Sequence, residues 1–280
     1  MTRPLSLAAL TVLELAPPDM VSAAATAGFS HVGLRLIPAT PTEPVHPTVG
    51  DTPMVRELRS RLDATGVRVL DVEIFRLKPE TRVADYRAAI ETGAWLGAKH
   101  ALCTGQDPVE SRLVDRLGEF ARLVAGYGMA ADLEFMPWTE VRDLAGAARV
   151  VQAAGEANLG IVVDAYHVSR SRVRLAEFAR LPRGLVRYLQ LCDAPAAIPP
   201  TMDAILEEAR NARRFPGEGD LDLVGLLRAL PHDLPVAVEA PTRELALRVD
   251  AVERARRARI ALRSVVDRAG ADMGAAARPA

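Results

Sequence analysis

Short apolar runs alternate with longer stretches of helical spacing along almost the whole chain, and the alternation repeats eight times. Leu5-Ser-Leu-Ala-Ala-Leu is the first run, closed by Pro17-Pro18, and Asp19 to Ala27 carries helical spacing up to Gly28. His31 to Leu36 reads as the second strand. Val67 to Glu73, Lys99 to Cys103, Met129 to Phe135, Leu159 to Val163, Leu185 to Leu191 and Pro235 to Glu239 read as the third to eighth. Helical spacing follows at Met54–Thr65, Val83–Leu96, Val109–Tyr127, Glu140–Ala154, Leu175–Ala179, Leu223–Leu230 and Arg243–Val266, several of these ending on a glycine suited to a left-handed cap. The strand runs are continuously apolar instead of alternating, as in a parallel sheet covered on both faces. Eight β-then-α units without a break in composition predict one (β/α)8 barrel of the α/β class. An open doubly wound sheet is the alternative, but no G-x-G-x-x-G follows the first strand. The catalytic domain is expected over residues 1–269, with an Ala/Gly/Pro-rich tail at 270–280 expected to be disordered.

Two segments escape the alternation. Residues 38–53 hold five prolines and no periodicity, and a loop of that length in a compact domain is commonly functional. Asp193 to Asp220 is a second long connection, with a helical piece around Met202 to Arg213.

Several apolar runs end on a side-chain oxygen. Val236-Ala-Val-Glu239 stops on a carboxylate and is followed by Ala-Pro. Asp132-Leu-Glu134, Ile161-Val-Val-Asp164 and Tyr188-Leu-Gln190 repeat the pattern. An ionised carboxylate without partners is costly to bury, and in this barrel class the active site lies at the C-terminal mouth of the strands. Strands five to eight are neighbours around the ring, so Glu134, Asp164, Gln190 and Glu239 can converge. Three crowded carboxylates raise one another's pKa unless a cation offsets them. One divalent metal ion is the simplest resolution, and an all-oxygen donor set suits Mn²⁺ or Mg²⁺ better than Zn²⁺.

These residues, with Asp164-x-x-His167, Gln190-x-x-Asp193 and Arg214-x-Pro216-Gly217-Glu218-Gly219, resemble the xylose-isomerase-like TIM-barrel superfamily over roughly residues 5–265. That group includes sugar phosphate isomerases and epimerases, ketose 3-epimerases, inosose dehydratases and 3-dehydroshikimate dehydratases. The resemblance implies a keto sugar or cyclitol as the small-molecule partner. It also implies enediolate chemistry in which Glu134 and Glu239 move a proton between the faces of one carbon. A dehydratase would instead expel a β-hydroxyl, with His167 as the acid. Gln190 departs from the histidine that most of the superfamily has there, and some bacterial 3-dehydroshikimate dehydratases are similar in having Gln. Isomerase or epimerase is the favoured expectation, dehydratase (lyase) the rival, and a non-catalytic sugar-binding barrel the third.

Other candidates keep two readings. His167 is a donor to substrate oxygen or a satisfied structural histidine. Asp193 orients Gln190 or caps a loop. Glu73 and Arg76 bind substrate or bridge to each other. Arg214 reaches substrate or is a surface charge.

Composition removes other classes. A net charge of −1 gives no bulk attraction to nucleic acid or membrane, and 4% aromatics are too few for a base-stacking platform. Of 35 basic residues only Lys78 and Lys99 are lysines, which reads as compositional bias. Five histidines, mostly without ligand spacing, cannot build the histidine-rich trinuclear zinc site of the AP-endonuclease branch. Cys103 and Cys192 lie in apolar runs as buried thiols. With no leader-like segment or long apolar span, a cytoplasmic location is expected, and a homo-oligomer is compatible with it.

Overall fold

The computed structural model describes the backbone of residues 3–276 and side chains through residue 271. Its centre is a closed barrel of eight parallel strands in sequential order: β1 Leu5–Leu7, β2 His31–Arg35, β3 Arg68–Leu77, β4 His100–Gly105, β5 Ala130–Glu134, β6 Leu159–Asp164, β7 Val186–Leu191 and β8 Val236–Val238. Every neighbouring pair is parallel, and β8 pairs with β1 through Leu5 and Val236 to close the ring. The predicted single (β/α)8 barrel is the observed fold.

Outward strand residues such as Val32, Leu34, Leu133, Ile161 and Leu189 pack in one large core with the surrounding helices. Inward residues such as Leu102, Val162, Tyr188 and Ala237 form a smaller cluster inside the ring. Full burial of an aliphatic side chain contributes about 1.5–3 kcal/mol, so the apolar runs hold both layers. The helices start and stop where local chemistry directs. Thr52 caps α2 (Pro53–Thr65, the second helix after α1 at Pro17–Ala27) by accepting from Val55 N at 3.1 Å, and Gly66 ends it at φ +72°.

Several boundaries differ from expectation, three of them as follows. β3 runs on to Leu77, so Arg76 stands on a strand end and not in a loop. A six-residue helix, Ala165–Arg170, follows β6 directly. The long C-terminal helix is divided: one turn at Arg243–Ala246 precedes a helix at Ala251–Ala276. That last helix includes the first part of the tail expected at 270–280; residues 277–280 lie outside the described residues. Among the described residues no helix is long and apolar enough to cross a membrane.

Candidate metal centre and active site

The barrel register brings the strand-end oxygens together. Asp164 pairs with Gln190 across β6 and β7, Gln190 pairs with Ala237 of β8, and Glu239 follows two residues later. Glu134 ends β5 opposite Val162. All four side chains are buried. Gln190 Nε2 donates to Glu239 Oε1 at 3.2 Å, and His167 Nε2 lies 3.6 Å from Glu134 Oε1.

Asp164 does two jobs. Its Oδ1 accepts from Tyr166 N at 2.6 Å and His167 N at 3.3 Å, capping the short helix Ala165–Arg170. That cap swings His167 into the mouth. Its Oδ2 accepts from Arg213 Nη1 at 2.7 Å.

Arg213 is the residue the sequence reading missed. The motif directed attention to Arg214, but Arg214 is exposed and donates to the Glu218 carbonyl at 3.2 Å. Its backbone bridges to Asp193, and the preceding residue turns inward. Arg213 Nη1 reaches Asp164, Glu239 Oε2 at 3.0 Å and the Glu239 carbonyl at 3.3 Å. The guanidiniums of Arg170 and Arg213 each lie 4.8 Å from the centroid of the Tyr166 ring, whose hydroxyl donates to the Ile205 carbonyl at 2.7 Å. The short helix therefore holds the cation as well as the histidine.

The electrostatics are those of crowded acids in a buried site. Burial and the neighbouring Glu239 and Asp164 push Glu134 well above the usual carboxylate range. Burial also raises Glu239, to about 8, against the pull of Arg213. Asp164 is lowered, because Arg213 and His167 outweigh its burial. Burial lowers His167 to about 4, so its imidazole is neutral at pH 7.

Part of the negative charge is thus already offset by Arg213, and crowding alone does not demand a metal. Unfilled acceptors carry that argument. Glu134 Oε1 and the Gln190 carbonyl oxygen are buried without a hydrogen-bond partner, which native interiors rarely tolerate. Ligand atoms of Glu134, Asp164 and His167 lie within 4.8 Å of one another, a group that could hold a metal ion. The donors fit a divalent cation, with His167 as a nitrogen neighbour that the oxygen quartet did not include.

The remaining candidates fall elsewhere. Asp193 accepts from Ala194 N, Leu221 N and Gly217 N at 2.9–3.0 Å, so it organises the loop before β8 instead of orienting Gln190. Gly219 is required there, since a Cβ would meet Asp193 Oδ1 at 2.4 Å. Glu73 is buried but bridges to Arg35, with Oε1 accepting from Nε at 3.2 Å and Nη2 at 3.0 Å, and not to Arg76. Arg35 also donates to Glu43 of the proline-rich segment at 2.8 Å, fastening that loop beside the mouth. Arg76 lines the same cleft as Glu134, His167, Arg213 and Glu239. Deeper in the barrel, Asp71 carries two buried oxygens without partners and is raised well above the carboxylate range by burial and by Glu73. Gly33 leaves it room, as a Cβ there would approach Asp71 Oδ1 to 2.9 Å.

Comparison with known proteins agrees with this architecture. The model of the xylose isomerase-like TIM barrel family matches residues 21–265. A 3-dehydroshikimate dehydratase of Pseudomonas aeruginosa is 34% identical over 116 residues, 41% of this chain and 18% of that protein. A Pseudomonas putida protein of the same name is 28% identical over 147 residues, 48% and 22% respectively. The matched segments span about a fifth of these curated relatives. Among solved structures, the IolI protein with a bound zinc atom aligns with TM-score 0.78 at 19% identity, over 95% of this chain and 98% of its own. An L-ribulose 3-epimerase aligns with TM-score 0.74 at 14% identity, over 99% of each. At such identities the structures share a fold.

Proposed function

The chain belongs to the xylose isomerase-like TIM barrel family, and from that premise we propose that it is a metal-dependent dehydratase acting on a cyclic β-hydroxyketone such as 3-dehydroshikimate. The observation that carries this reading is the inequality of the two glutamates. Glu239 is engaged by Arg213 and Gln190, whereas Glu134 faces His167 at 3.6 Å. Epimerisation passes one proton between opposite faces of a carbon and is served by a matched pair of bases. Elimination needs one group that takes a proton and returns it to a leaving oxygen.

The metal, held by Glu134, Asp164, Gln190 and Glu239, would supply a Lewis acid that polarises the substrate carbonyl. His167 is neutral and buried, so its free nitrogen accepts the proton from the carbon next to the carbonyl. Glu134 steadies the resulting imidazolium. The same proton passes to the β-hydroxyl, which leaves as water while the carbon–carbon double bond forms. Trp138, edge-on to His167 at 5.0 Å, fixes the ring and keeps bulk water away. Arg213 and Tyr166 hold Asp164 and Glu239 in place throughout.

The keto-sugar isomerase or epimerase favoured from sequence retains one supporting observation: Glu134 and Glu239 line one cleft. Incubating Mn²⁺- or Mg²⁺-loaded protein with 3-dehydroshikimate separates the two. Growth of a conjugated, ultraviolet-absorbing product supports dehydration, and its absence with metal bound removes that substrate.

A further inference from the structure

A level of polar side chains crosses the barrel interior beneath the mouth. Ser6 of β1 pairs with His31, and Gly33, two residues further, pairs with Asp71 of β3. Asp71 pairs with His100, and Leu102, two further, pairs with Asp132 of β5. Asp132 pairs with Gly160, and Val162, two further, pairs with Tyr188 of β7. Gln190, two beyond Tyr188, pairs with Ala237, and Ala237 returns to Ser6. Each crossing climbs two residues and the circuit closes, so Ser6, Asp71, Asp132 and Tyr188 share one level, supplied by alternate strands. Their neighbours Leu5, Leu7, Val72, Ala131, Leu133 and Leu189 belong to the outer core, so these four side chains face the axis. The next level up, Gly33, Leu102, Val162 and Ala237, is apolar and separates them from Glu134 and Gln190.

All four residues are at most 1% exposed. Ser6 Oγ, both Asp71 oxygens, Asp132 Oδ1 and Tyr188 Oη have no hydrogen-bond partner among the described residues. They do not satisfy one another, so what satisfies them sits between them. Asp132 is answered from outside the level. Its Oδ2 contacts His100 Nδ1 at 2.7 Å, and its Oδ1 and Arg187 Nε both crowd the place of a Gly160 Cβ, at 2.8 and 2.6 Å. Asp71 has no such neighbour. Burial, Glu73, Glu239 and Asp132 oppose its charge, and Arg35 favours that charge without a hydrogen bond. Water between these groups would fill hydrogen bonds but leave the charge uncompensated. Among the described residues only Glu134, Asp164 and His167 gather three ligand groups as a divalent ion needs. One uncompensated carboxylate among hydroxyl oxygens suits a single positive charge.

We infer that this level binds one monovalent cation, Na⁺ or K⁺, held by the Asp71 carboxylate, Ser6 Oγ and Tyr188 Oη, with Asp132 Oδ1 completing the oxygen set. The Tyr188 ring lies beside His100, centroids 5.0 Å apart, which presets its hydroxyl. The ion is structural. It fastens β1, β3, β5 and β7 to one another under the mouth, and it is independent of the reaction carried out above it.

Reversible thermal unfolding of the full chain tests this in sodium, potassium and choline chloride at one ionic strength, with Mn²⁺ constant. Sodium or potassium should raise the melting temperature by about 5 °C or more over choline, the scale of an ion present at a hundred times its Kd. Asp71→Asn, with unchanged circular dichroism, should lose that rise, and Tyr188→Phe and Ser6→Ala should shrink it. Glu134→Gln, which alters the mouth, should keep it whole. Equal melting in all three salts overturns the site and leaves Asp71 a neutral acid. A rise that survives Asp71→Asn, or one lost in Glu134→Gln, overturns it too. If Asp71→Asn does not fold, an undiminished rise in Tyr188→Phe and Ser6→Ala together overturns it. In crystals soaked with Tl⁺, anomalous diffraction should show a peak level with Asp71 and Tyr188; a peak at the mouth alone, or none, contradicts the assignment.

Discussion

Two largely buried arginines at the barrel mouth each hold two carboxylates, and the two networks have opposite character. Arg35 binds Glu73 at 3.0 Å and Glu43 at 2.8 Å, and the second Glu43 oxygen takes the Ala39 N–H. That network joins β2, β3 and the proline-rich loop, and neither carboxylate has a buried oxygen left over. Arg213 binds Asp164 at 2.7 Å and Glu239 at 3.0 Å, yet Glu134 Oε1, the Gln190 carbonyl and His167 Nδ1 around it stay unfilled. A saturated buried network fastens a structure, and one with vacant acceptors is arranged for something that binds. The first is a clamp and the second a site, although both are the same motif of one arginine and two acids.

Paired substitutions can break that distinction. His167→Asn should lower turnover by about 10²–10⁴-fold, the scale of an acid–base group, and Glu239→Gln, which removes a carboxylate proposed to hold the metal, should lower it to a similar extent, both with circular dichroism unchanged; full activity in either would remove the proposed role. Glu43→Gln, the matching change on the clamp, should leave kcat within a few-fold. Arg35→Ala leaves Glu73 buried and unpaired and should cost about 3–5 kcal/mol of stability, measured by urea unfolding. If Arg213→Ala cost stability no differently but left activity intact, both networks would be clamps. Mn²⁺ should raise the melting temperature of the wild-type protein, since binding to the folded state stabilises it, and should do so less in Glu134→Gln. The smallest effect is expected from Tyr166→Phe. Loss of the hydroxyl contact to Ile205 and Glu208 should cost about 1 kcal/mol and lower kcat modestly by loosening Arg213.

The barrel was legible because eight continuous apolar runs repeat a single message, and the strand-end oxygens because an acid closing such a run is physically awkward. The same rule applies to Arg35 at the end of His31-Val-Gly-Leu-Arg35. Arg213 was harder to read. It stands beside Arg214, and only the antiparallel bridge between Asp193 and Arg214 decides which of two consecutive arginines turns inward. The helix at Ala165–Arg170 is too short to show a period; its origin is the Asp164 cap, visible only once Asp164 Oδ1 meets two N–H groups. Glu43 gave no signal, since its partner lies in another strand. Two glutamates at strand ends suit an epimerase on sequence, and their unequal engagement appears only in three dimensions.

The most direct test is a proton NMR time course on the metal-loaded protein, with 3-dehydroshikimate in one tube and L-ribulose in another. The account predicts loss of 3-dehydroshikimate signals, growth of a conjugated product and no change in L-ribulose. A stereoisomer accumulating in the L-ribulose tube, with 3-dehydroshikimate untouched, would contradict it.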